Sequence, residues 1–297
     1  MSHVALTTLD APRRAALCVP ATQPDRIAKA IASGADEVVI DLEDAVPAGE
    51  KDRARDALRT VDWPSVNDGR VRVAVRVNAV GTPWCHRDLE LVASGVAPVT
   101  SVVVPKVESR GDLDFVERLL TGLEAEARRP APRIGVQALV ETAAGLAGLP
   151  AIVSRPDRLE SLILGYADLA ASLGRRGLRR PDWVPAQHAL LVAARSAGVA
   201  AIDGPHLSVA DDTDFRDAVG HAADFGFDGK WVIHPRQVDA VVCGFTPAAD
   251  EVERANRVLQ AMTDAAAAGL GAVDLDGQLV DEAMALAARR TLARAGR

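Results

Sequence analysis

Two apolar runs rich in β-branched residues each end in one carboxylate: Glu141 in RIGVQALVETAAG, and Asp168 in LESLILGYADLAASLG. One strand-plus-helix unit separates them, so parallel strands lying side by side bring both acids to the same edge of a sheet. Two hard oxygen ligands with coordination positions left open suit Mg²⁺ holding an anionic substrate. A structural reading competes: ETAAG and ADLAASLG each lead into a helical pattern, which would make both acids N-caps or first-turn residues. Arg76, in RVRVAVRVN, points from another strand end toward the same space, where a guanidinium can take a carboxylate in a bidentate grip. The stretch DLEDAV supplies Asp41, Glu43 and Asp44. One of these acids is expected to support the cation through water, one to pair with Arg76 or Lys106, and one to be a surface or cap residue. Lys106, in VPKVE, suits a substrate contact as well as an ion pair across the site.

Further groups are weaker candidates. Arg13 and Arg14, and RRGLRR at 175–180, are basic patches that could meet phosphates, with Arg14, Arg175 and Arg176 the residues expected to do so. Lys230 is a lesser third candidate. The histidines show no HxxxH or HxxE spacing, and only His234 in WVIHP sits at a strand end. No GxSxG is present, and Cys18 reads as a buried residue of the first strand.

Eight β-type runs can position these groups, at 15–20, 37–43, 72–78, 101–107, 133–141, 160–168, 200–204 and 230–235, each followed by a helical pattern. Runs such as VVID, VAVRV and SVVVP are nearly all apolar and β-branched, as in strands buried on both faces. Eight strand–helix units favour an α/β TIM (β/α)8 barrel over an open sheet, and no GxGxxG opens the first helix. The C-terminal strand ends then deliver Pro20, the three acids of DLEDAV, Arg76, Asn78, Lys106, Glu108, Glu141, Asp168, Asp203 and His234 to one mouth. The barrel is expected to occupy residues 1–245. Residues 246–297 form a C-terminal helical extension, with a helix from about Pro247, a glycine-rich stretch and a last helix, able to fold over a mouth as a lid.

The chain of 297 residues is 48% hydrophobic and 25% charged but only 3% aromatic, so small and branched aliphatics must fill a large core. A net charge of −7 argues against a nucleic-acid partner. Three scattered cysteines give neither a disulfide framework nor a zinc site. With no apolar h-region at the start and no long apolar run, neither secretion nor a membrane partner is expected, and the default location is cytoplasmic.

Taken in order, RRAALCVPA, DLEDAV, VRVN, VPKVE, ALVETAAGL, GYADLAASLG, AAIDGPH and GFDGKWVIHP resemble the citrate lyase β-subunit-like CoA-ester lyases of the HpcH/HpaI aldolase group. That group includes malyl-CoA, β-methylmalyl-CoA and citramalyl-CoA lyases. The resemblance implies a Mg²⁺-dependent barrel that cleaves or forms a carbon–carbon bond beside a CoA thioester, releasing a small 2-keto acid. It makes Glu141 and Asp168 metal ligands and Arg76 the keto-acid-binding arginine. It also implies a homotrimer or hexamer in which the C-terminal segment of one subunit caps a neighbour's site. An aspartate on that segment would be the catalytic base; DGQLVDEA at 276–283 makes it Asp281, although Ala283 stands where the family carries proline. Three other activities remain open: a citrate lyase β subunit acting on a carrier-bound citryl thioester, a malyl-CoA thioesterase, and a CoA-independent class II keto-acid aldolase.

Overall fold

Short runs of Val, Ile, Leu and Ala become strands here because both of their faces are covered, one by the barrel interior and the other by helices. The computed structural model describes residues 12–67, 69–128, 133–177 and 180–295. Its strands are β1 (Ala15–Pro20), β2 (Glu37–Asp41), β3 (Arg72–Arg76), β4 (Ser101–Val104), β5 (Gly135–Val140), β6 (Leu159–Leu164), β7 (Ala200–Asp203) and β8 (Gly229–Val232). They pair in parallel in chain order and close through β8 against β1, giving the TIM-type barrel expected from the sequence. The helices around it are α1 (Pro24–Ile31), α2 (Lys51–Arg59), α3 (Trp63–Val66), α4 (Cys85–Ala93), α5 (Arg110–Glu126), α6 (Ala143–Ile152), α7 (Tyr166–Ser172), α8 (Val184–Ala197), α9 (Thr213–Phe225) and α10 (Val238–Phe245). Among the described residues no helix is long and apolar enough to cross a membrane.

Alternation along the strands sorts the interior into tiers. At the floor, Gln137 donates to Glu37 at 2.9 Å and to Ser101 at 2.8 Å, and accepts from Ser161 at 2.9 Å. A dry middle tier follows, formed by Ala16, Val39, Ala74, Val103, Leu139, Ile163, Ala200, Ile202 and Trp231. Two residues further on along their strands, Cys18, Asp41 and Arg76 face the mouth. Cys18 is partly exposed, and burial pushes its thiol up to about 12, so it is no nucleophile at neutral pH.

Beyond the barrel lie α11 (Ala249–Ala267), a hairpin of β9 (Val273–Leu275) and β10 (Gln278–Val280), and α12 (Glu282–Arg294). Both helices expected of the tail are present, and the hairpin stands at and just after the glycine-rich stretch, where the sequence reading places no strand. Asp276 and Gly277 both take positive φ, 55° and 79°, as a two-residue turn between right-twisted strands requires. The tail has its own small core of Ala255, Val258, Val280 and Ala288. Arg294 anchors its end by donating to Phe227 O at 3.1 Å, just ahead of β8 and so at the floor end of the barrel. Residues 1–11 and 296–297, included in the expected barrel and extension, lie outside the described residues, as do 178 and 179 of the RRGLRR patch.

Candidate active site

Asp41 ends β2, and its two oxygens do two jobs. They accept from the amides of Glu43 at 2.8 Å and Ala45 at 3.0 Å, folding the DLEDAV turn, and they take Arg76 side-on through Nε at 2.8 Å and Nη2. Lys51 of α2 secures the same turn from beneath, donating to the carbonyls of Leu42 and Glu43 at 2.7 Å each. Burial raises the pKa of Glu43. Its Oε1 accepts from Lys106 Nζ, while its Oε2 lies 3.0 Å from Arg76 Nη1 without accepting a hydrogen bond. Asp44 sits exposed on the rim, 3.6 Å from Lys106 Nζ. Arg76 lies 5.8 Å from the Trp231 ring centroid, which walls it from below. Its Nη1 makes no hydrogen bond among the described residues, although Glu43 Oε2 lies 3.0 Å and Asp44 Oδ2 3.9 Å from it.

Glu141 follows β5 directly and is 2% exposed. Its Oε1 accepts from the Lys106 amide at 3.0 Å; no hydrogen bond reaches its Oε2 among the described residues. A Cβ at Gly165 would stand 2.6 Å from that Oε2, so a glycine there leaves room for the carboxylate. Asp168 is not at a strand end: β6 stops at Leu164, and Asp168 rides in the first turn of α7. It makes no hydrogen bond or ion pair among the described residues, yet its charge reaches Glu141. Burial foremost, with the charges of Glu43 and Asp168 adding, lifts the Glu141 carboxyl to about 8, while Lys106 and Arg76 act the other way.

Among the described residues, Asp41, Glu43, Asp44, Glu141 and Asp168 thus face only Arg76, Lys106 and the buried Lys51. This excess of negative charge, together with an unclaimed Glu141 oxygen, a free Asp168 and the orphaned Oε2 of Glu43, fits a hard divalent cation held by two carboxylates. Among the described residues no cluster of three or more His, Cys, Asp or Glu forms a fuller ligand cage.

Several candidates lie elsewhere. Arg14 precedes β1, so it stands at the floor end, where it pairs with Asp36 at 2.8 Å and donates to Thr246 at 2.7 Å; it cannot line the mouth. Arg13, also at the floor, is buried between Glu37 and Glu160. Asp203 and Lys230 alternate with interior residues, so both face the helices rather than the mouth. They form a buried ion pair, and Tyr166 donates to Asp203 from the start of α7. His234 accepts from the Arg236 amide at 3.2 Å as a turn cap. Arg175 donates to Asp182 O at 2.6 Å and stacks over Trp183, while Arg176 is exposed and makes no hydrogen bond or ion pair among the described residues. Asp281 caps α12, accepting from Ala283 and Met284, and makes no hydrogen bond or ion pair with its own barrel's mouth among the described residues.

Sequence reasoning placed Asn78 at the mouth but missed Lys51 and the pair of Asp88 and Arg55 that braces it. Asp88 is fully buried, pairs with Arg55 at 2.7 Å and holds the amide of Asn78 at 2.8 Å, bracing the loop after β3. The signal available was modest, since Lys51, Arg55 and Asp88 are each a buried polar residue on an amphipathic helix.

The family model described as HpcH/HpaI aldolase/citrate lyase matches residues 14–235. An L-malyl-CoA/beta-methylmalyl-CoA lyase of Rhodobacter capsulatus is 34% identical, covering 90% of each chain. A (3S)-malyl-CoA thioesterase of Cereibacter sphaeroides is 35% identical over 96% of this chain and 95% of that one. The crystal structure of protein CitE from Mycobacterium tuberculosis in complex with magnesium, acetoacetate and coenzyme A superposes with a TM-score of 0.76. It shares 34% identity and covers 97% of this chain and all of that one. With a barrel of this topology and a family match spanning most of it, the chain belongs to the HpcH/HpaI aldolase/citrate lyase family.

Proposed function

We propose that the protein is a Mg²⁺-dependent carbon–carbon lyase acting on a β-hydroxyacyl-CoA of the malyl-CoA or citramalyl-CoA type, yielding an acyl-CoA and a 2-keto acid. The observation that carries this reading is the pair of carboxylates left without a partner at one mouth among the described residues, Glu141 through Oε2 and Asp168, beside Arg76, whose Nη1 lies against Glu43 but donates no hydrogen bond. A cation between Glu141 and Asp168 would supply Lewis acidity to the carboxylate and hydroxyl oxygens of the substrate. Arg76 neutralises the keto-acid carboxylate and holds it in reacting geometry, with Asp41 fixing the guanidinium plane. In cleavage the hydroxyl proton passes to solvent water at the mouth, the hydroxyl oxygen becomes the keto carbonyl, and the bond between the hydroxyl-bearing carbon and the acyl α-carbon breaks. The electron pair passes to the α-carbon, which takes a proton. Asp281 of a neighbouring copy is the proton carrier in this reading, which calls for assembly as a homotrimer or hexamer; among the described residues Asp281 makes no hydrogen bond or ion pair with its own mouth. The exposed Arg176 beside the mouth-side loop is the remaining candidate for the CoA phosphates.

The thioesterase among the relatives favours a second reading, hydrolysis of malyl-CoA. Incubation with malyl-CoA, β-methylmalyl-CoA and citramalyl-CoA, with and without Mg²⁺, separates the two. Free keto acid together with intact acyl-CoA supports the lyase, whereas accumulation of free malate and CoA overturns it in favour of the hydrolase.

Cation binding should also depend steeply on pH. Glu141 is protonated below about 8 in the metal-free fold and must ionise to bind. Mg²⁺ affinity measured by calorimetry is therefore expected to fall roughly tenfold per pH unit below that value. A flat profile between pH 6 and 8 would remove Glu141 from the ligand set.

A further inference from the structure

Lys106 is one of only three described non-glycine residues with positive φ, at 52°. A left-handed backbone costs energy at any residue with a side chain and is retained only where the surroundings impose it. Here the surroundings are identifiable. Val107 N–H donates to Leu139 O at 3.3 Å, extending the ladder onto β5 just beyond Lys106. The two carbonyls that follow then rest on a groove in α6. A Cβ built on Gly145 would stand 2.3 Å from Val107 O, and one on Gly148 2.8 Å from Glu108 O. With the loop seated so low on the helix that follows Glu141, the turn at Lys106 aims its amide at Glu141 Oε1, 3.0 Å away. The ammonium does something different, reaching across to Glu43 and lying 3.8 Å from the same Glu141 oxygen.

We infer that Lys106 is a positioning residue for the cation site, acting through its backbone amide: the left-handed turn, seated on the Gly145 and Gly148 groove, orients the Glu141 carboxylate so that its second oxygen faces Asp168. This assigns Lys106 a role other than contact with substrate or CoA, and it rests on the cation site proposed above. Only the loop's conformation, not the lysine charge, is required for that orientation. A glycine at 106 would keep the amide aimed, and a β-branched residue, which resists positive φ, would turn it away.

The test compares Lys106→Gly with Lys106→Val in the full chain, both lacking the ammonium, by calorimetric titration of the metal-free protein with Mg²⁺ at pH 8.5. Because both variants lose the ammonium, the comparison is between them: the valine variant should bind about tenfold more weakly than the glycine variant, the scale of one hydrogen bond to a charged group. Equal affinities in the two variants beside a binding parent overturn the amide's role. Absence of binding by the parent overturns the cation site, and this inference with it. Gly148→Ala, which lifts the loop without touching residue 106, gives a second readout if the valine variant does not fold. Weakened Mg²⁺ binding with an unchanged melting curve supports the inference, and unchanged binding overturns it.

Discussion

Replacement of Glu141 by glutamine is expected to abolish the calorimetric Mg²⁺ signal and to lower the cleavage rate by about 10³-fold or more, while making the metal-free protein no less stable. The two halves of this outcome come from the same burial. The carboxyl is 2% exposed and titrates near 8 instead of 4.5, so in the absence of a cation the fold prefers its neutral form. Between those two values the folded chain holds a proton that the unfolded chain has released. Stability contributed by the neutral carboxyl is thus fully present below pH 4.5 and is lost as the pH rises toward 8. Glutamine keeps the neutral shape, and its side-chain carbonyl can still accept from the Lys106 amide. The variant should therefore lose that part of the pH slope and melt at or above the parent's temperature at pH 8. A residue whose removal stabilises the empty protein and ends activity is a functional group, not a structural one. Full activity in Glu141→Gln would sink the cation site. A variant that unfolds would instead show that Glu141 is mainly a prop for the loop after β4.

How much of this was legible beforehand depends on which physical signal each residue carried. The strands could be read because burial on both faces demands continuous branched aliphatic runs, and their order put Glu141, Arg76 and the acids of DLEDAV at one end of the barrel. Alternation decided the rest. Asp203 closes a strand as neatly as Asp41 does, but it stands on the parity of Ala201 rather than Ile202 and faces the helices. Arg14 could have been excluded, since residues before the first strand belong to the floor end. The tail hairpin also had its signal, an Asp-Gly pair between the alternating stretches VDL and QLV, overshadowed by the glycine content around it. The left-handed turn at Lys106 had none, because lysine carries no preference for positive φ and the seat on α6 arises only once the helix packs beside the loop. Asp281 is different again: its N-cap geometry is complete within its own helix, and any second role depends on a neighbouring chain.

Arg76 is the harder residue to assign, because its side-on pair with Asp41 would exist whether or not it ever met a substrate. Arg76→Lys keeps the charge but loses the planar fork, and a loss of about 10²- to 10³-fold in kcat/KM is expected. Arg76→Gln alone leaves Asp41, which is fully buried, without its cation, and should destabilise the chain by roughly 3–5 kcal/mol. Low activity in that variant would therefore prove little. Removing both partners separates the roles. In the double variant Asp41→Asn, Arg76→Gln the charge of Asp41 goes with its partner, Glu43 keeps its pair with Lys106, the two amides can hydrogen-bond to each other, and much of the lost stability should return. If Arg76 served only as the counterion of Asp41, activity would return with it. If Nη1, which lies against Glu43 Oε2 but donates no hydrogen bond among the described residues, grips the keto-acid carboxylate, the double variant will fold and bind Mg²⁺ yet remain as inactive as Arg76→Gln. Melting curves and cleavage rates on the two single variants and the double decide between these, and recovery of activity in step with stability would remove Arg76 from the substrate site.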